Sequence, residues 1–174
     1  ATDYRIPPDG FINKKFLIAQ YSVAPNEDVK IYFNYVGGKN PDSSITNQFD
    51  IVATAKLSDK FSAGINGTVN SGKSWDGSKN ISGKSWAGGA VYLNADPKSW
   101  LGFTLRGEYF NDKNQLKMFA FAPKGGNIFA TTASANFKIN SFLLIPELRL
   151  DNARASIFAD KSGAATNSFT SFLV

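Results

Sequence analysis

Apolar and polar residues alternate with a period of two along most of this chain, and the connections between the alternating stretches are sorted by length. Pro25–Asp28 is short, Gly37–Thr46 long, Ser58–Lys60 short, Ser71–Ser85 long, Asp96–Ser99 short, Asn111–Gly126 long, Asn140–Ser141 short and Asn152–Asn167 long. Period two is the signature of a strand with one apolar and one polar face. A soluble sandwich has no reason to sort its loops by parity. A barrel that crosses a membrane does, because its turns on one side are tight and its loops on the other are long. Alternating runs of about 8–11 residues also match the length a tilted strand needs to cross a bilayer. The expectation is therefore an all-β chain, an antiparallel up-and-down transmembrane β-barrel of eight or more strands.

The alternation assigns faces residue by residue. Val29, Ile31, Phe33 and Tyr35 oppose Lys30, Tyr32 and Asn34; Leu101, Phe103, Leu105 and Tyr109 oppose Gly102, Thr104, Arg106 and Glu108. Phe11–Ala24 is apolar but alternates poorly, so residues 1–24 read as an irregular segment or an extra strand and residues 25–174 as the barrel strands with their turns and loops. Pro146 falls in mid-strand on the apolar parity, where its missing N–H predicts a bulge. Leu116, Met118, Phe119 and Phe121 give the connection after Phe110 enough apolar character to extend a strand.

Full charges on the polar parity point that parity away from lipid and into a lumen. The residues are Lys30, Asp50, Lys56, Arg106 and Glu108, followed by Lys138, Glu147, Arg149 and Asp151. Their signs alternate and nearly cancel, which reads as a lattice of paired ions and places the basic excess of the chain, +5 overall, in the loops. Aromatics stand near strand ends, as the interfacial girdles of a membrane barrel require. Phe61, Trp100 and Phe142 open strands after tight turns, while Tyr35, Trp86, Tyr109 and Phe129 lie toward the long loops.

The chain contains no histidine and no cysteine. That removes the usual general base, the commonest metal ligand and every Ser-His or Cys-His pair. No catalytic residue, cofactor or metal ligand is expected. Glu108 and Glu147 are conceivable as a carboxylate dyad, but Arg106 and Arg149 beside them favour ion pairing. Residues 67–74, GTVNSGKS, match the phosphate-loop pattern in letters, yet no helical period follows to hold the phosphates. The repeat of SGKSW at 71–75 and 82–86 suits a β-ribbon better. The lysines are scattered singly apart from Lys14-Lys15, so nucleic acid is not an expected partner.

Several stretches together resemble the OmpL-like β-barrel porins of Gram-negative outer membranes. They are NEDVKIYFNYVGGKN from Asn26, LSDKFSAGINGTVN from Leu57, SWAGGAVYLNADPKSWLGFTLRGEYFND from Ser85, FLLIPELRLDNA from Phe142 and SFTSFL from Ser168. The resemblance runs from about Asn26 to Val174, matches the closing half of such proteins, and implies passive transport without catalytic residues. Counting from Val29 gives eight strands, an allowed even number. Counting Phe11–Ala24 gives nine, which points to the C-terminal part of a larger barrel. The functional expectation is diffusion of small hydrophilic solutes across the outer membrane, with lipid, the solutes and other outer-membrane proteins as partners. The alternative is a closed structural or adhesive barrel, or the barrel subunit of a larger complex.

Overall fold

The structure is a computed structural model and describes residues 15–40, 44–75 and 78–174. Among these residues there are twelve strands: β1 (Phe16–Val23), β2 (Val29–Lys39), β3 (Ile45–Lys56), β4 (Phe61–Trp75), β5 (Asn80–Lys98), β6 (Leu101–Asp112), β7 (Gly126–Ile139), β8 (Phe142–Leu144), β9 (Glu147–Ala153), β10 (Phe158–Ala159), β11 (Ala165–Thr166) and β12 (Ser168–Leu173). Ten form one antiparallel sheet in the order β1-β2-β3-β4-β5-β6-β7-β9-β12, with β8 also against β7; β10 and β11 make a separate small hairpin. This is an all-β, antiparallel, up-and-down meander. Along the path β1 and β12 run in the same direction and do not pair, so the described sheet is open between them.

Cross-strand partners in an antiparallel ladder share a face, so the register carries one face across the whole sheet. Leu105 pairs with Leu93 and Ala133, Leu93 with Ala63, and Ala133 with Leu148. On the other side of the same pleat, Arg106 pairs with Tyr92 and Thr132, and Thr132 with Arg149. Phe33, Phe49, Phe103, Leu105 and Leu148 on the apolar face are 44–56% exposed. A continuous apolar face of that extent is not left open to water by a soluble monomer; it marks a membrane or protein contact.

Strand ends differ from the sequence expectations in ways that have physical causes. β1 is ladder-paired from Phe16 to Val23 despite its poor alternation, whereas Phe11–Lys14 lie outside the described residues. The connection expected at Gly37–Thr46 shrinks to residues 40–44, because Gly37 and Gly38 belong to β2. A Cβ on Gly38 would stand 2.6 Å from the Lys15 carbonyl oxygen, so glycine here allows close strand approach, not a loop. The expected loop at Ser71–Ser85 is mostly a ribbon in which β4 and β5 stay paired to Trp75 and Asn80, with a register shift at Gly72/Lys73. The phosphate-loop letters therefore lie within β4, and among the described residues no helix follows them.

The expected turn at Asp96–Ser99 moves to Ser99-Trp100, with Lys98 paired to Leu101. Between Ala95 and Lys98 the register shifts, placing an irregularity at Asp96-Pro97 where proline has no N–H to give the ladder. Pro146 behaves differently from the bulge expected of it. Phe137 pairs with Leu144 and Ser134 with Glu147, so the register is the same on both sides and no residue is inserted. The Ala135 N–H donates to the Pro146 carbonyl at 3.1 Å. Only the return bond is missing, and β8 and β9 are one crossing interrupted by it.

Candidate functional site

The polar face carries all nine charged residues singled out from the sequence, but the structure joins them into separate groups. Arg106 and Glu108 on β6, Thr132 and Ala130 on β7, and Arg149 and Asp151 on β9 form two adjacent cross-strand rows. Arg149 donates through Nε and Nη2 to Asp151, at 2.9–3.1 Å, and through Nη1 to Glu108. Arg106 holds the other oxygen of Glu108. The Arg149–Glu108 contact spans β7, about two strand spacings of 4.7–4.9 Å each. On β7 the guanidinium arm meets Thr132, 3.5 Å from its Nη1, and the adjacent position on this face is the small, buried Ala130. Each carboxylate here meets at least one cation, so the half-buried charges are compensated. Glu147 shares the face one pleat step away, outside this chain of contacts.

The remaining charges lie toward the tight-turn end or in the N-terminal half of the sheet. Lys56 pairs with Asp59 at 2.6 Å, tying the end of β3 to its turn, and Lys138 at the end of β7 pairs with Asp96 of β5 at 3.3 Å. Asp50 is held by amides: Asn34 and Asn66 each donate at 2.7 Å, and Gln20 donates to Asn34 at 2.7 Å. Lys30 lines a cavity of about 590 Å³ with Thr54 and Asn94 on this half of the face.

The aromatic residues divide. Tyr35, Phe61, Tyr109, Phe129 and Phe142 fall on the apolar face, Tyr35 with its hydroxyl donating to Asn47 at 2.8 Å. Trp100 lies in the two-residue turn, so strand parity does not place it; its ring stacks on Phe137 at 6.5 Å. Trp86 is on the opposite face from the one a lipid girdle requires. It pairs with Asn70, shares the face of Arg106, and packs on Phe110 at 5.5 Å, with the Lys117 ammonium 6.0 Å from its ring. Parity along β5, read through Tyr92 and Ala90, puts it there.

Sequence reasoning missed the device that shapes this end of the face. Asp112, fully buried, ends β6 and accepts N–H groups from Leu116 (2.7 Å), Lys117 (2.8 Å) and Phe119 (3.1 Å). The connection expected to extend a strand instead wraps around this carboxylate. Phe119, 0% exposed, packs with Ile128 and Ala153 in a small core, and its ring occupies the space a Cβ on Gly126 would need, 2.6 Å away. Met118 and Phe121 remain exposed. Asn114 accepts from the Ser85 N–H at 2.9 Å and ties the loop to β5. The only visible signal was the Asp-Lys-Asn run directly after a strand, which favours side-chain-to-backbone turns.

Between this loop and the ion pairs lies a cavity of about 790 Å³. Glu108, Arg149 and Asp151 form one side of its lining, and Trp86, Phe110, Phe158 and Phe169 contribute aromatic surface.

A family model described as "Putative beta-barrel porin-2, OmpL-like" matches residues 9–174. Comparison with curated proteins and with solved structures gives no match.

Proposed function

Since the chain belongs to the OmpL-like β-barrel porin family, we propose that it forms wall of a bacterial outer-membrane pore, through which small hydrophilic solutes diffuse passively. The observation that carries this reading is the division of the sheet. Apolar side chains stand exposed on one face, and the charged strand residues gather on the other. A membrane barrel needs that arrangement, with the apolar face against lipid and the polar face toward the lumen. Lys30, Asp50, Lys56, Arg106, Glu108, Lys138, Glu147, Arg149 and Asp151 then face water inside the wall. Tyr35, Phe61, Tyr109, Phe129 and Phe142 stand at the lipid side. A porin requires no catalytic group, which suits a chain without histidine or cysteine.

Planar-bilayer recording of the purified protein tests the proposal. Stepwise open-channel currents are the expected result. Their absence from protein whose folding is proven by heat-modifiable gel mobility would reject the pore. It would favour a closed structural or adhesive barrel acting with outer-membrane partners, a reading supported by the β4–β5 ribbon that carries both SGKSW copies.

A further inference from the structure

The cavity beside the ion pairs does not resemble the rest of the polar face. Around Asp50 that face is built from amides and hydroxyls. Here, within one cavity of about 790 Å³, it carries Trp86, Phe110, Phe158 and Phe169. The rings come in two contacting pairs, Trp86–Phe110 at 5.5 Å and Phe158–Phe169 at 5.7 Å. Phe158 also packs against the closed core of the loop, Phe119, Ile128 and Ala153, whereas Trp86, Phe110 and Phe169 stand outside it. Aromatic surface left accessible beside a few convergent polar groups, in a volume within the usual range for small-molecule sites, describes a binding pocket.

We propose that this cavity is a subsite for a neutral saccharide, the ring's C–H face lying on the aromatic side chains and its hydroxyls meeting Glu108, Arg149 and Asp151. The charge arrangement selects the class. Glu108 is shared by Arg106 and Arg149, and Asp151 is held by Arg149 through both oxygens. Lys117 also lines the cavity, but its ammonium lies over the Trp86 ring at 6.0 Å, and an anion reaching the polar side would have to take Arg149 from two carboxylates that repel it. A cation would have to displace a guanidinium. A hydroxyl both donates and accepts, so it uses the remaining lone pairs of the carboxylates without breaking an ion pair. The apolar area then supplies most of the affinity and the ions orient the ring.

This assignment rests on the proposal that the polar face meets solute, and the test separates the two. Calorimetric titration of the folded protein in detergent micelles would use two neutral trisaccharides, maltotriose and cellotriose, with benzoate as the charged aromatic control. Millimolar binding of at least one trisaccharide and none of benzoate is expected. Trp86→Leu and Phe169→Leu should each weaken it about tenfold, the loss of roughly one aromatic contact. Phe169 lies on the edge strand β12, so its variant serves if Trp86→Leu does not fold. Glu108→Gln should weaken binding by a smaller factor. Failure of both trisaccharides to bind folded protein, tighter binding of benzoate, or full affinity in both aromatic variants overturns the subsite. Saccharide binding without channel currents would remove the pore and leave the subsite; currents without saccharide binding would do the reverse.

Discussion

The polar face has two halves built on the same pleat and held in different ways. In the β2–β4 half a single carboxylate, Asp50, is gripped by the amides of Asn34 and Asn66. In the β6–β9 half, two arginines and two carboxylates form a continuous chain, and a loop folded on Asp112 packs over its end. The apolar faces of the halves are alike: Ile51 and Leu105 are both exposed members of the same apolar surface. The difference teaches that a strand pattern can prescribe which way side chains point while leaving open what they do once there. In one half amides hold a lone carboxylate; in the other, interlocked ions form one side of a cavity bordered by the Asp112 loop.

The sharpest test of the shared apolar face has the largest expected effect. Leu105→Arg and Ile51→Arg should each cost about 2–4 kcal/mol of folding stability in lipid near the bilayer midplane, measured by urea titration of the gel-mobility shift. A cost confined to one half would mean that the two apolar faces do not meet the same environment. The inner face should respond unequally. Arg149→Leu strips Asp151 of its partner and frees one oxygen of Glu108, for a loss of about 2–3 kcal/mol. Asn34→Leu leaves Asn66 on Asp50 and should cost about 1 kcal/mol. Equal losses in the same titration would erase the distinction between an interlocked and an amide-held half.

Two further effects concern the loops of the second half. Asp112→Asn keeps one acceptor oxygen where three N–H groups converge, and each unmade bond costs about 1–3 kcal/mol. The loop should open and trypsin should cut after Lys113 or Lys117 in the folded protein, whereas the wild type resists. In the last long connection, hydrogen bonds from the Ser162 hydroxyl and from the Ala164 and Ser162 N–H groups hold the Asp160 carboxyl below its ordinary range. A lowered carboxylate pKa gives a contribution fully present above the unfolded value, about 3.9, and lost as pH falls through the folded one. The Ala164 amide resonance should therefore hold its position down to about pH 4 and move only below it. Asp160→Asn should abolish that acid transition.

Much of the fold was legible because pleat alternation is local: a residue's face follows from its position in its own strand. The nine charged residues share one face for that reason, and Ile51, Phe103 and Leu148 share the other. Loop length was legible only in part. Gly37 and Gly38 look like loop residues in isolation, but the approach of β1 makes them strand. Pro97 and Pro146 are both prolines within strands, yet the ladder shifts near one and continues through the other, because each outcome depends on what the neighbouring strand can still donate.

By itself, the sequence determined an all-β meander with one apolar face and one charged face, since both follow from period two and from the parity of the connections. Only the tertiary structure decided that Arg149 reaches Glu108 across β7, and that Asp112 gathers a loop into a core around Phe119. It also decided that Trp86 shares the face of the ions and not the apolar face. Those contacts join residues far apart in the chain, and distance along the chain carries no local period from which they could be read.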